Sequence, residues 1–113
     1  MERDTCVAVA VQDETIRRTV VFVIKVYGHP VVLLESLTLE SGRPQCIVLD
    51  LPAMSAANAR EQLSIIKCPC VMLTDTLQHV PSWYSGGIVL MPLLGDTFLE
   101  AVNRAIASDQ RAI

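Results

Sequence analysis

Aromatic side chains are scarce in this chain: two phenylalanines, two tyrosines and one tryptophan among 113 residues. A core of any size must therefore be built from Val, Leu, Ile and Ala. Positive charge is thin as well. Nine Lys and Arg stand against twelve Asp and Glu, for a formal net charge of −3, and the basic residues form no stripe. That argues against a nucleic-acid partner, whose phosphates need such a stripe. No apolar run approaches the roughly 20 residues that span a bilayer, so no membrane role is expected. The start, Met1-Glu2-Arg3-Asp4-Thr5, is charged and runs straight into an apolar segment, unlike a signal peptide. Without an export signal the four cysteines read as thiols in a reducing cytoplasm, not as a disulfide framework. Internal repeats, low-complexity segments and linkers are absent too. No glycine-rich phosphate loop follows any apolar run, which argues against a nucleotide enzyme. What is abundant is core material: 51% hydrophobic residues, 19% charged residues and a mean hydropathy of +0.42. One folded domain over residues 1–113 is the expectation.

Five short apolar runs alternate with helical patterns. Residues 6–11, 31–34, 46–50, 68–73 and 88–91 read as strands, the last stopped by Pro92. Residues 15–27 read as a helix with Ile16, Val20, Val23 and Ile24 on one face, acidic residues at its start and Gly28 at its end. Its many β-branched residues mean that packing, not propensity, must keep it helical. Ser55 is expected to cap a helix through Ile66, with Ala59, Leu63 and Ile66 inward, and Asp96 a last helix with a stripe of Phe98, Val102, Ala105 and Ile106. Residues 35–42 hold at most a short helix. Residues 77–87 contain Pro81, Trp83, Tyr84 and the Gly86-Gly87 pair, which argues against a full one. Strands alternating with helices imply a parallel sheet covered on both faces, with right-handed crossovers.

In such a sheet ligands collect beyond the C-terminal ends of the strands. Gln12, Asp13, Asp50 and Thr74 all follow strand ends. Asp50 is the sharpest of them, a single carboxylate closing the run Cys46-Ile47-Val48-Leu49 ahead of Leu51-Pro52-Ala53-Met54-Ser55. It reads either as a chemical group or as a turn and capping residue.

This spacing resembles the receiver domain of bacterial two-component response regulators across nearly the whole chain. Val11-Gln12-Asp13-Glu14 stands where that family closes its first strand with an acidic pair. Asp50 matches the phospho-accepting aspartate, Leu73-Thr74 the switch hydroxyl, and Met91-Pro92 the lysine-proline pair after the fifth strand. Cys68-Pro69, Leu73-Thr74 and Val80-Pro81 are most similar to the nitrogen-fixation branch of the family. The resemblance implies a flavodoxin-like three-layer α/β sandwich. Its five-stranded parallel sheet would run in the order 2-1-3-4-5, with the helical segments after the second and fourth strands shortened. It also implies an acidic pocket of Gln12, Asp13 and Asp50, with Asp13 and Asp50 left as weak Mg²⁺ ligands.

The departures from the family are chemical. Gln12 replaces a carboxylate, Met91 replaces the lysine, and Ile88 stands where an aromatic residue is usual. Phosphoryl transfer to a carboxylate crowds anionic oxygens together, and a metal ion and an ammonium normally offset that charge. Losing one preorganised charge costs on the order of 3 kcal/mol in the transition state. No cofactor is required on this reading, and any Mg²⁺ would bind with lowered affinity. Asp50 is then a vestigial acceptor, and the chain is not an enzyme but a stand-alone receiver. The implied partners are a sensor histidine kinase, which similar single-domain proteins inhibit, or another response regulator; a second copy of the chain is compatible with the same surface. One alternative keeps Asp50 as a working phosphoryl acceptor with Mg²⁺.

Another alternative uses thiols. Cys6, Cys46, Cys68 and Cys70 all lie at strand beginnings, along the edge opposite Asp50, where a thiolate metal or redox centre is imaginable. Against it, Cys is a small hydrophobe that cores accept, and Cys-Pro-Cys is not the usual ligand spacing. Trp83 and Tyr84 read as partner-surface anchors or as a plug for the missing helical turn. His29 and His79 lie in loops and make no triad with Thr74 or Cys70.

Overall fold

The three central apolar runs leave almost no exposed face. In a computed structural model, which describes residues 6–34, 44–50, 60–61, 63, 68–76, 78, 80–84, 86–91 and 97–110, they form β1 (Val7–Ala10), β3 (Cys46–Asp50) and β4 (Cys70–Thr74). Every residue of β1 and β3 is buried, and so is all of β4 after Cys70. With β2 (Val31–Leu33) and β5 (Gly87–Leu90) they make one parallel sheet in the order β2-β1-β3-β4-β5. The register aligns small branched residues across the middle: Val9 stands opposite Val48, and Val48 opposite Val71. Such continuous Val and Ile runs are what a parallel sheet buried on both faces requires.

The two outer strands depart from the expectation of five buried runs. β2 and β5 are the sheet edges, so Leu33, Ile88 and Leu90 are exposed, although Val89 between the latter two is buried. An edge strand has one neighbour fewer, and its apolar residues are covered only where a helix crosses them.

Alternation along the strands divides the core in two. Val7, Val9, Cys46, Val48, Val71, Leu73 and Val89 face α1 (Glu14–Val26) and α2 (Thr97–Gln110). Ala8, Ala10, Ile47, Leu49 and Met72 face the other way, against Leu63, Val80, Trp83 and Tyr84. α1 buries Val20 and Ile24, and α2 buries Phe98, Val102, Ala105 and Ile106. Asp13 caps α1, its Oδ1 accepting the Ile16 N–H at 3.0 Å. The helix stops at Gly28, whose φ of 89° turns the chain away, and the last carbonyls accept from the N–H groups of Gly28 and His29.

Of the helix expected over residues 55–66, Arg60, Glu61 and Leu63 are described and are helical. Ser55, Ala59 and Ile66, the cap Asp96, and the segment 35–43 lie outside the described residues. Between β4 and β5 the described residues make turns, as where the Tyr84 N–H donates to the Pro81 carbonyl at 3.1 Å. Among the described residues no helix is long and apolar enough to cross a membrane.

Candidate functional site at the end of β3

Asp50 ends β3, in register with Leu73 of β4, and only 2% of it is exposed. A carboxylate in that position is costly unless its oxygens are hydrogen-bonded. Its Oδ2 accepts two bonds, from the backbone N–H of Gln12 at 2.9 Å and from that of Asp13 at 3.0 Å. Both donors lie in the turn leaving β1, at the point where the chain swings into α1. The carboxylate thus ties two elements together by charge-assisted bonds, the stronger class of hydrogen bond.

The remaining positions are engaged in the same local way. The Gln12 and Asp13 side chains are exposed, and the Asp13 carboxylate caps its own helix. The Thr74 hydroxyl donates to the Thr76 carbonyl at 3.1 Å and accepts from the Thr76 N–H at 3.4 Å, bending the chain after β4. Met91 donates its backbone N–H to the Thr74 carbonyl at 2.8 Å. Its half-buried side chain packs on the apolar cluster between the sheet and the helices α1 and α2. The topology therefore gathers Gln12, Asp13, Asp50, Thr74 and Met91 at one sheet edge. Direct bonds join the β1 turn to Asp50 and Met91 to Thr74.

One residue at this edge escapes a strand-by-strand reading. Arg17, one turn into α1, folds back so that its Nη1 donates to the Val11 carbonyl at 3.3 Å. The Gln12 amide that grips Asp50 is the next in the chain. The only signal in the sequence is spacing: Arg17 lies four residues after the cap Asp13, whose carbonyl accepts its backbone N–H. The described ion pair on α1 is formed instead by Arg18 and Glu14, at 2.6 Å on the surface.

The opposite edge carries the cysteines, all four of them thiols. Cys46 belongs to the cluster beneath α1 and α2, whereas Cys68 and Cys70 belong to the cluster on the other face, so the sheet lies between them. Cys68 Sγ donates to the Pro44 carbonyl at 3.1 Å, and Cys70 Sγ to the Cys68 carbonyl at 3.2 Å. Burial pushes the Cys70 thiol up to about 11. Among the described residues, no group of three or more His, Cys, Asp or Glu gathers where it could hold a metal ion.

Trp83 and Tyr84 are half-buried on the second face and meet edge to face, with ring centroids 6.4 Å apart at 77°. The Tyr84 hydroxyl donates to the Gly87 carbonyl at 2.7 Å. Burial first, then the neighbouring Cys70 and Cys46, hold that phenol well above the ordinary tyrosine range.

No protein-family model and no curated protein sequence matches this chain. Two solved structures of the Vibrio cholerae chemotaxis response regulator CheY4 do, one of them from crystals grown at low pH. Each is 18% identical to this chain and is matched over 89% of this chain and 98% of its own. The TM-scores are 0.65 and 0.64. The chain therefore has the flavodoxin-like fold of a chemotaxis response regulator, with the same parallel strand order.

Proposed function

We propose that this chain is an atypical receiver domain of two-component signalling, acting by protein contact rather than by phosphoryl transfer. The observation that carries the reading is the state of Asp50. Its Oδ2 is taken up by two backbone N–H groups, and the position where receivers carry a lysine is Met91, turned to the core. Attack of that oxygen on phosphorus would give up bonds of about 1.5–3 kcal/mol each, with no ammonium at Met91 to offset the charge. A magnesium ion would draw on the oxygens of Asp50, of Asp13, which already caps α1, and of the neutral Gln12, a set one negative charge short of the family's, so its affinity should be lowered. No metal enters this reading.

A contact surface is also on hand. Phe22 and Val26, one turn apart on α1, are both more than half exposed, and so is Tyr27 just past the end of the helix. The four-residue spacing makes Phe22 and Val26 neighbours, an exposed apolar pair of the kind that partners cover. A sensor histidine kinase or a second receiver would dock there, and the kinase would be held inactive. The test combines chemistry and binding. With acetyl phosphate and Mg²⁺, intact mass spectrometry is expected to find no phosphoryl adduct, while the purified chain binds a cognate kinase and Phe22→Asp weakens binding at least tenfold. An adduct, or a failure to bind any cognate kinase, overturns the proposal.

Arg17 supports a second reading, in which Asp50 does accept a phosphoryl group. Its guanidinium is held beside the β1 turn, and among the described residues it has no carboxylate partner. It could supply part of the charge that Met91 does not. An adduct lost in both Asp50→Asn and Arg17→Gln would establish that reading in place of the first.

A further inference from the structure

At the edge opposite Asp50, where β4 and β5 begin, the structure contains an open pocket of about 560 Å³. That volume lies within the roughly 300–1,000 Å³ of small-molecule sites. The wall is mostly apolar, built from Leu63, Trp83, Ile88 and two alanines of α2. Gly86 and Gly87 also line the pocket at the start of β5, where the Tyr84 ring packs over Gly86 and its hydroxyl bonds the Gly87 carbonyl.

The charge in the pocket is one-sided. Among the described residues two guanidiniums line it, Arg60 and Arg104, and no carboxylate does. This holds although the chain has twelve acidic residues and only nine basic ones. Neither arginine has a carboxylate partner among the described residues. Arg60 instead sits 6.0 Å from the centre of the Trp83 ring, a cation–π contact that steadies the guanidinium beside an aromatic wall. Arginine's planar fork suits carboxylate, sulfonate and phosphate oxygens in particular. The Cys70 and Tyr84 side chains, both on the wall, stay neutral at ordinary pH and add no repelling charge.

We infer that this pocket is a binding site for a small organic anion with a flat, apolar body. The body lies against Trp83 and Ile88, and the acidic group meets Arg60 and Arg104. The site stands apart from the Asp50 edge and does not depend on the reading of that edge.

Trp83 is the only tryptophan in the chain, so its emission reports on this pocket alone. The probe is anilinonaphthalene sulfonate, a flat aromatic anion, compared with the uncharged N-phenylnaphthylamine. The sulfonate is expected to quench Trp83 saturably with one-to-one stoichiometry, and the uncharged compound to bind at least tenfold more weakly. Both arginines are exposed, so Arg60→Gln and Arg104→Gln should keep the fold, as checked by circular dichroism. Each should weaken the sulfonate by about tenfold, and added salt should weaken it for the native chain more than for either variant. Equal affinity for the two probes, binding of several copies, or affinity unchanged in both variants overturns the inference.

Discussion

Asp50 is a buried carboxylate that does structural work through Oδ2, and its neighbours decide the outcome of replacing it. In Asp50→Ala the Gln12 and Asp13 N–H groups lose an acceptor to which both now donate. Hydrogen bonds to a charged group contribute about 1.5–3 kcal/mol each, less where water can reach the donors as it can at the exposed Gln12 and Asp13, so the urea midpoint should fall. Asp50→Asn keeps a neutral acceptor oxygen and should lose less. A midpoint that rises in both variants would mean instead that the carboxylate is repelled by its surroundings. Gly86 is fixed by a different constraint. A Cβ there would stand 2.5 Å from the Tyr84 hydroxyl oxygen and 2.8 Å from the Cys70 carbonyl oxygen, and that carbonyl belongs to a strand that cannot easily give way. Gly86→Ala should therefore lose about 1–3 kcal/mol in urea unfolding, as overpacked sites do. Gly87→Ala, with the same carbonyl at 3.5 Å, should change stability by well under ~1 kcal/mol. Asp50 was legible as an isolated acid at a strand end. The difference between the two adjacent glycines was not, because it depends on a tyrosine folded back from the preceding turn.

Among the elements, α1 depends most on its ends. Valine and isoleucine are modest helix formers, so the β-branched stretch is kept helical by the burial of Val20 and Ile24, by the Asp13 cap and by the Gly28 stop. Asp13→Ala removes the cap and should cost about 1 kcal/mol, whereas Asp13→Asn should retain most of it, since either residue can accept the Ile16 N–H. The surface pair Arg18–Glu14 offers a contrast: its partners are 78% and 63% exposed, and Arg18→Ala should be close to neutral. Thermal melting of the three variants separates these effects. The face and the end of α1 follow from residue spacing alone. The return of Arg17 to Val11 needed the strand and the helix to be packed already, since nothing local sets that contact.

For the whole molecule, stability is linked to pH through its buried acids. Cys70 ionises near 9.0 in an ordinary setting and near 11 in the fold. Between those values the unfolded chain releases a proton that the folded chain keeps, so unfolding becomes easier as pH rises. That stability is fully present below pH 9 and is lost by up to about 1.4 kcal/mol per pH unit above it. Tyr84, raised in the same direction, extends the loss to higher pH. Urea midpoints should thus decline from pH 9 to 11, and Cys70→Ala should decline less steeply; parallel slopes would refute the linkage. Strand number, parallel pairing and the two helix faces were all written in the order of residues, because alternation and helical period are local properties of the chain. Only the packed molecule decided which strands became exposed edges, which oxygen Asp50 presents to the β1 turn, and that two arginines far apart in sequence line one pocket. Those outcomes depend on distances between segments remote along the chain, and no local period encodes such distances.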